Sequence, residues 1–457
     1  MRRSRNAALP TRCSRSTTCR ASRICANEAQ MKRMLVLLAC LLAGGVQAEE
    51  FKFDAAEFDK KPFEFGGYLE LKTERAWLNH DGALYKLNFY DRAASDTLDR
   101  TAATLKLDGK FTRDDFVLRF RADAEVRRDA LTSERINRFD EAYLSWKPDP
   151  GFTLDVGKQA LKWGKGYAWN PVGFVERPKD ANDVELAREG FTMLAADFIR
   201  NFAGDLKTVA FTPVILPVSS QVNADFGKPD HLNAAAKLYL LYRDTDIDFT
   251  WLGRGSRSPR FGVDFSRNLS SALEIHGEWA KIRDFDLRSV AASGAVTSER
   301  RNVTSALLGL RYLTEQDTTY ILEYYRNGTG YSEHQTRDYY QLIDNGLAQF
   351  QATGSDALLS KARQLGPSYA RANPGERYLY LRASQKEPFD IVYFTPSLTI
   401  ITNLDDRSYS LTPELLYTGI TNLDLRLRAS WLSGKAGSEF GEKQNARKLE
   451  LMARFYF

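Results

Sequence analysis

The sequence predicts an all-β fold, a transmembrane antiparallel β-barrel of about eighteen strands, with about sixteen the nearest other even count. Three observations carry this. After Ala48, apolar and polar residues alternate with period two in run after run, the pattern of strands whose two faces meet different surroundings. The connections between these runs alternate between tight and long. An apolar export segment stands ahead of them all.

Taken in order, residues 1–30 are Arg-rich and aperiodic and end at Met31, so they read as an upstream extension from a start codon placed too early. A long n-region is the other reading. Lys32-Arg33, the apolar run from Met34 to Leu42 and the small residues before Val46-Gln47-Ala48 make a signal peptide over 31–48, cleaved after Ala48 and exported by the Sec pathway. The run is too short to span a bilayer; Leu37-Leu38-Ala39-Cys40 as a lipoprotein box is a second reading. Residues 49–62 form a short periplasmic segment, too brief for a plug domain, and 63–457 form the barrel.

Strands are expected at 63–77, 101–112, 115–128, 135–147, 151–162, 190–201, 205–213, 234–243 and 245–253. The second half continues at 259–268, 271–285, 302–313, 317–327, 375–385, 389–402, 406–418, 421–433 and 446–457. The clearest runs place Leu423, Leu425, Leu427 and Trp431 opposite Asp424, Arg426, Arg428 and Ser430, and Phe116, Leu118, Phe120 and Ala122 opposite Val117, Arg119, Arg121 and Asp123. Tight turns include Arg113-Asp114, Asp244 and Gly419-Ile420; long connections are 78–100, 163–189, 214–233, 286–301, 328–374 and 434–445. Three connections, 129–134, 254–258 and 403–405, break the alternation by being short. Short periplasmic turns and long outer loops are the arrangement of bacterial outer-membrane barrels. No helical stripe of any length is read after Ala48. Aromatics at strand ends (Trp77, Trp146, Trp431, Phe455, Tyr456) suit interfacial girdles, and the terminal Phe457 suits the signal read by the barrel-assembly machinery.

Composition narrows the alternatives. Charged residues make up 27% and aromatics 12% of the chain, and mean hydropathy is −0.42, which excludes a polytopic helical membrane protein and a disordered chain. The first 48 residues hold nine of the 64 basic residues and one acid, leaving 55 basic and 58 acidic side chains and no nucleic-acid footprint. All four cysteines also lie there, at 13, 19, 25 and 40. The four histidines (His80, His231, His276, His334) are too scattered for a metal cluster, and His276 has no recognisable Ser or acid partner. No enzyme, catalytic residue, metal or cofactor is predicted.

With apolar faces outward, closure of the sheet brings together a lumen wall carrying Lys106, Arg119, Arg121, Arg426, Arg428 and Arg454, with Lys72 and Lys110. It reads either as a basic ladder guiding an anionic solute or as a salt-bridged wall that hydrates and stiffens the sheet, since acids nearly balance the bases. The 163–189 connection is the candidate constriction. Its Trp163, Lys165, Tyr167, Trp169, Asn170, Arg177 and Lys179 either fold into the pore, rings toward sugars and charges toward solutes, or form an external loop held by its own aromatics. Gly157-Lys158 lacks the spacing of a phosphate loop.

The stretch Gly157-Lys158-Gln159, Trp163-Gly164 and Asn170-Pro171 resembles the Gly-Arg-Gln, Trp-Gly, Asn-Pro pattern of porin-like barrels of the alginate-export type and their uncharacterised relatives. Lys158 stands where that pattern has Arg, and the specific match covers only 155–180. The resemblance implies an eighteen-stranded barrel whose basic lumen passes a polyuronate. The expected function is an outer-membrane channel for hydrophilic, anionic solutes or saccharides in a Gram-negative envelope. The alternatives are the terminal pore of a polysaccharide export pathway with periplasmic partners, and a surface-binding scaffold sealed by its loops. Expected partners are outer-membrane lipid and lipopolysaccharide, the barrel-assembly machinery and small hydrophilic solutes, the chain being a monomer or a homotrimer.

Overall fold

The computed structural model describes residues 62–183 and 189–457. The leader, its cleavage after Ala48 and the 49–61 segment lie outside the described residues. Eighteen strands follow one another: β1 (Phe63–Leu78), β2 (Thr97–Arg113), β3 (Phe116–Arg128), β4 (Ser133–Asp149), β5 (Phe152–Gln159), β6 (Phe191–Asn201), β7 (Leu206–Val218), β8 (His231–Tyr242) and β9 (Thr245–Leu252). Then come β10 (Arg260–Asn268), β11 (Leu273–Val290), β12 (Val296–Leu313), β13 (Thr318–Arg326), β14 (Arg377–Gln385), β15 (Phe394–Asn403), β16 (Tyr409–Ile420), β17 (Leu423–Ser433) and β18 (Asn445–Tyr456). Each pairs antiparallel with its chain neighbours, and β18 pairs with β1, so no edge is left open.

Closure depends on a close backbone approach. Gly67 and Phe457 exchange backbone hydrogen bonds at 3.0 and 3.1 Å. A Cβ at Gly67 would lie 2.2 Å from the Lys106 carbonyl, so any side chain there would force the first strand off its partner. The tight turns are built from residues that tolerate positive φ: Arg243 and Asp244, at 47° and 57°, form a two-residue hairpin between β8 and β9. The period-two code then sorts the faces. Outward lie Phe63, Phe65, Leu118, Leu144, Trp251, Leu308, Leu427 and Leu451, all exposed and apolar. Inward lie Lys106, Asp123, Asp264, His276, Glu323 and Glu450, all buried.

The connections differ from the expectation in two ways. β11 and β12 run on through the anticipated 286–301 loop to a turn at 291–295, after a register shift between Ile282 and Phe285. The bulge redirects the strands, and Leu287 and Val290 are then buried against helices. Those helices are the second difference: α1 (Ala83–Phe89), α2 (Glu333–Thr353) and α3 (Ala357–Tyr369) occupy loops expected to lack helix. α2 opens on a Ser332/Gln335 capping box and ends at Gly354 with φ 73°. Its buried stripe uses Thr336, Tyr339, Tyr340, Leu342, Ile343 and Gly346 among Gln, Arg and Asp residues; a stripe with only two aliphatics hides in the sequence. α1 leaves the β1–β2 connection and α2 and α3 the β13–β14 connection, yet they share one buried cluster and a Lys86–Asp344 ion pair of 2.7 Å. The three helices therefore meet over the loop-side mouth.

Candidate functional site: the folded-in loop and the charged wall

The connection after β5 packs inside the barrel. Trp163, Val172, Phe174 and Val175 are buried against inward residues of β6 to β11, including Phe191, Met193, Leu216, Leu252 and Ala280. Farther along, Ala168, Trp169 and Ala181 pack with Leu307, Ile321, Tyr378, Tyr380 and Ile401 of β12 to β15. The Trp169 ring stacks on Tyr325 with centroids 5.1 Å apart. At 2% and 7% exposure, Trp163 and Trp169 fasten the loop to the wall and offer no open ring face to a passing sugar. This corrects the expectation that these rings point toward solute; burying a large aromatic surface is worth more to the loop than leaving it in water.

A folded-in loop must satisfy its backbone, and two wall carboxylates do so. Glu278 on β11 accepts the N–H groups of Lys165 and Gly166 at 2.7 Å each and that of Val172 at 3.1 Å. Glu323 on β13 accepts those of Tyr167 and Ala168 at 2.5 and 2.9 Å. Gly164 makes the approach to Glu278 feasible, for its φ is +90° and a Cβ would stand 2.7 Å from the carboxylate oxygen. Charge-assisted hydrogen bonds of this kind contribute about 1.5–3 kcal/mol each. His276 Nε2 lies 2.9 Å from Glu323 and its Nδ1 3.5 Å from Glu274, so the histidine does have acid partners; the sequence missed them because one comes from β13. Tyr167 donates to Glu274 at 3.1 Å, and burial with that carboxylate pushes its phenol up to about 12.

The loop's charged residues are bound to protein. Lys165 reaches Asp248 at 2.8 Å and Asp264 at 3.9 Å. Burial pulls its ammonium down, but the Asp248 carboxylate outweighs burial and holds it above the ordinary lysine range. Lys179 donates to the Gly166 carbonyl, Asn170 to Glu176 at 3.3 Å, and Arg177 pairs with Asp225 and with Glu189 at 3.4 Å. Asp183 reaches the other side of the lumen, 3.1 Å from Arg426 and 3.6 Å from Arg428.

The wall opposite is the one closure predicts, and it is dense with ion pairs. Lys106 meets Asp140 at 2.7 Å, Arg121 meets Asp108 at 2.7 Å and Glu141 at 3.4 Å, and Arg454 meets Glu70 at 2.6 Å. Arg426 and Arg428 share Glu414, Glu450 and Asp183. Among the described residues Lys72 and Arg119 form no ion pair. Asp140 is the extra residue of a bulge between the Arg121 and Ala122 pairings, a kink that turns both it and Glu141 inward. Glu278, Glu323 and Asp248 escaped sequence reasoning as site residues. Their inward parity was legible, but nothing local said that a distant loop would need their oxygens.

The family of phosphate-selective porins O and P matches residues 78–208 of the chain. No curated protein matches it. Among solved structures, Acinetobacter baumannii OccAB1 is 12% identical with a TM-score of 0.51, covering 86% of this chain and 96% of that one. Pseudomonas aeruginosa OccK5 (OpdH), 12% identical over 86% of this chain and 98% of that one, has a TM-score of 0.48. Pseudomonas aeruginosa OprD, 10% identical over 87% and 97%, has a TM-score of 0.46. The OccAB1 likeness shows a shared fold, and the family match is to porins other than the alginate-export type that the loop motif resembles. The closed barrel, its polar lumen and the porin match together support a porin-like outer-membrane channel for hydrophilic solutes.

Proposed function

We propose that this protein passes small, hydrophilic, preferentially anionic solutes, saccharide acids among them, along a lane between the folded-in loop and the charged wall. The observation that carries the reading is the asymmetry of the lumen. One side is covered by a loop whose polar groups are taken up by the wall it packs on, and the other is a ladder of arginines and lysines on β1 to β3, β17 and β18. Most of those cations are paired, so the wall is nearly neutral and keeps the lane wet. Lys72 and Arg119 supply the net positive field that favours anions. The Gly157-Lys158-Gln159 and Trp163-Gly164 stretch, resembling alginate-export barrels, supports an acidic saccharide as the solute.

The test is single-channel conductance in a planar bilayer under a salt gradient. A steady current with an anion-biased reversal potential is expected. An unselective current would sink the anionic part of the reading, and silence from a folded barrel would favour the loop-sealed scaffold.

A further inference from the structure

The outer face of the barrel carries a feature that the channel does not use. Outward positions near the loop-side ends of β18, β1, β3 and β4 hold Arg447, Arg75, Arg128 and Arg135. Arg75 is matched by Asp99 at 2.7 Å. The other three are exposed and, among the described residues, have no ion pair. Arg447 sits directly between Trp77 and Trp431 in the cross-strand register, and those rings, 37% and 42% exposed, mark the depth of a membrane interface. The turn-side end of the same strip differs: its outward cation, Arg113, stands 3.9 Å from Asp114. Net positive charge on this outward strip is therefore confined to the loop side.

Below Arg128 and Arg135, on the same strands, the outer surface is dented. A cavity of about 300 Å³ is lined on this face by Leu105, Leu107, Ala122, Ala124 and Phe139 with the one polar residue Asn137, and Asp123 and Arg138 of the same strands border it. Its floor is low because two alanines stand where β3 elsewhere carries Leu118, Phe120 and Val126, and the β4 bulge at Asp140 bends the neighbouring strand. The juxtaposition is a mainly apolar dent of about 300 Å³ beneath guanidinium groups at the depth of the flanking tryptophans.

We infer that strands β1 to β4 and β18 carry an external binding site for a phosphorylated glycolipid, the lipopolysaccharide of the outer leaflet. An acyl chain fills the Leu105/Ala122/Ala124/Phe139 slot, and the sugar phosphates meet Arg128, Arg135 and Arg447. Guanidinium forks match phosphate oxygens in pairs, and these three, exposed and committed to no carboxylate, are open to phosphate. Phosphate alone would leave the slot open to water or lipid, and an uncharged lipid would leave the arginines unmatched. The site goes beyond the channel reading and is independent of what passes through the lumen.

The test uses protein purified in mild detergent and native mass spectrometry, with bis-phosphorylated lipopolysaccharide and its enzymatically dephosphorylated form as probes. Retention of the phosphorylated glycolipid is expected. Its dissociation constant should rise on the order of tenfold or more when Arg128→Gln, Arg135→Gln and Arg447→Gln are combined. Ala124→Leu, which fills the slot while leaving every charge in place, should weaken the same complex; heat-modifiable gel mobility checks that both variants remain barrels. An Arg243→Gln turn variant should bind as the parent does. Equal retention of the dephosphorylated form, unchanged binding by the triple variant, or a second copy of the chain in place of glycolipid would each overturn the site. Conductance is read separately, so a failed channel reading and a failed glycolipid site are told apart.

Discussion

The two halves of the lumen wall obey the same alternation and serve opposite ends. From β6 to β15 the inward residues behave as a protein core: Met193, Leu216, Leu252 and Ile321 are buried, and acids such as Glu278 and Glu323 are committed to backbone N–H groups of the loop. From β16 round to β4 the inward residues are charged and paired with one another across strands, as Arg454 with Glu70 and Arg121 with Asp108. The contrast teaches that a carboxylate facing a barrel lumen has no fixed role. Covered by a loop, it becomes a structural acceptor whose loss orphans buried donors; left beside water, it tunes a field.

Glu278→Ala should produce the largest change. It leaves three loop N–H groups without an acceptor, at a cost of about 3 kcal/mol or more. The loop should come loose, giving a several-fold larger and noisier single-channel conductance and new proteolytic cuts within 163–183. Native conductance together with a protected loop would erase the distinction between the two halves. Next, Trp163→Ala removes a ring that is 2% exposed and should cost about 3–5 kcal/mol in urea unfolding. Trp431→Ala, on the lipid face at 42% exposure, should cost clearly less; equal costs would mean that the loop is not packed as a core.

On the charged half, Arg428→Gln should move ion preference more than stability. It releases Glu414 and Glu450 from a shared partner, so the reversal potential should shift toward cations. Arg119→Gln, which removes a cation outside any ion pair, should shift it the same way by less, since no acid is freed. A shift toward anions in either variant would contradict the field described. The smallest effect is expected from pH. Lys165 is held above its ordinary value of 10.5, so its tie to Asp248 is complete below that value and lost only as pH rises through the raised one. Through this tie conductance should be flat from about pH 6 to 9 and rise only in stronger alkali; a step within that window that Lys165→Met abolishes would show that the tie opens earlier than its partners dictate.

How much of this was legible beforehand follows from the range of each interaction. The strand at 421–433 and its inward Arg426 and Arg428 could be read because a pleat turns successive residues to opposite faces, a rule two residues long. The Arg454 and Lys106 wall could be read because closure makes the last strand a neighbour of the first. Trp163 and Trp169 stand out in the sequence, but their direction is not readable from it: a ring packs against whichever surface the loop meets, and that surface lies on β6 to β15. The helix 333–353 was missed because its stripe of Tyr339, Tyr340 and Ile343 is apolar only when α1 and Leu287 lie beside it.

Local patterning was enough for the barrel, its strand count to within two, its inside and outside, and the charged character of one wall, because period-two alternation and turn chemistry are local and each strand repeats them. That the loop after β5 lies inside, that Glu278 and Glu323 hold it there, and that an outward dent sits beneath Arg128 and Arg135 emerge only in the folded barrel. Those are meetings between residues far apart in the chain, fixed by the register of a closed sheet and by where buried backbone groups find acceptors.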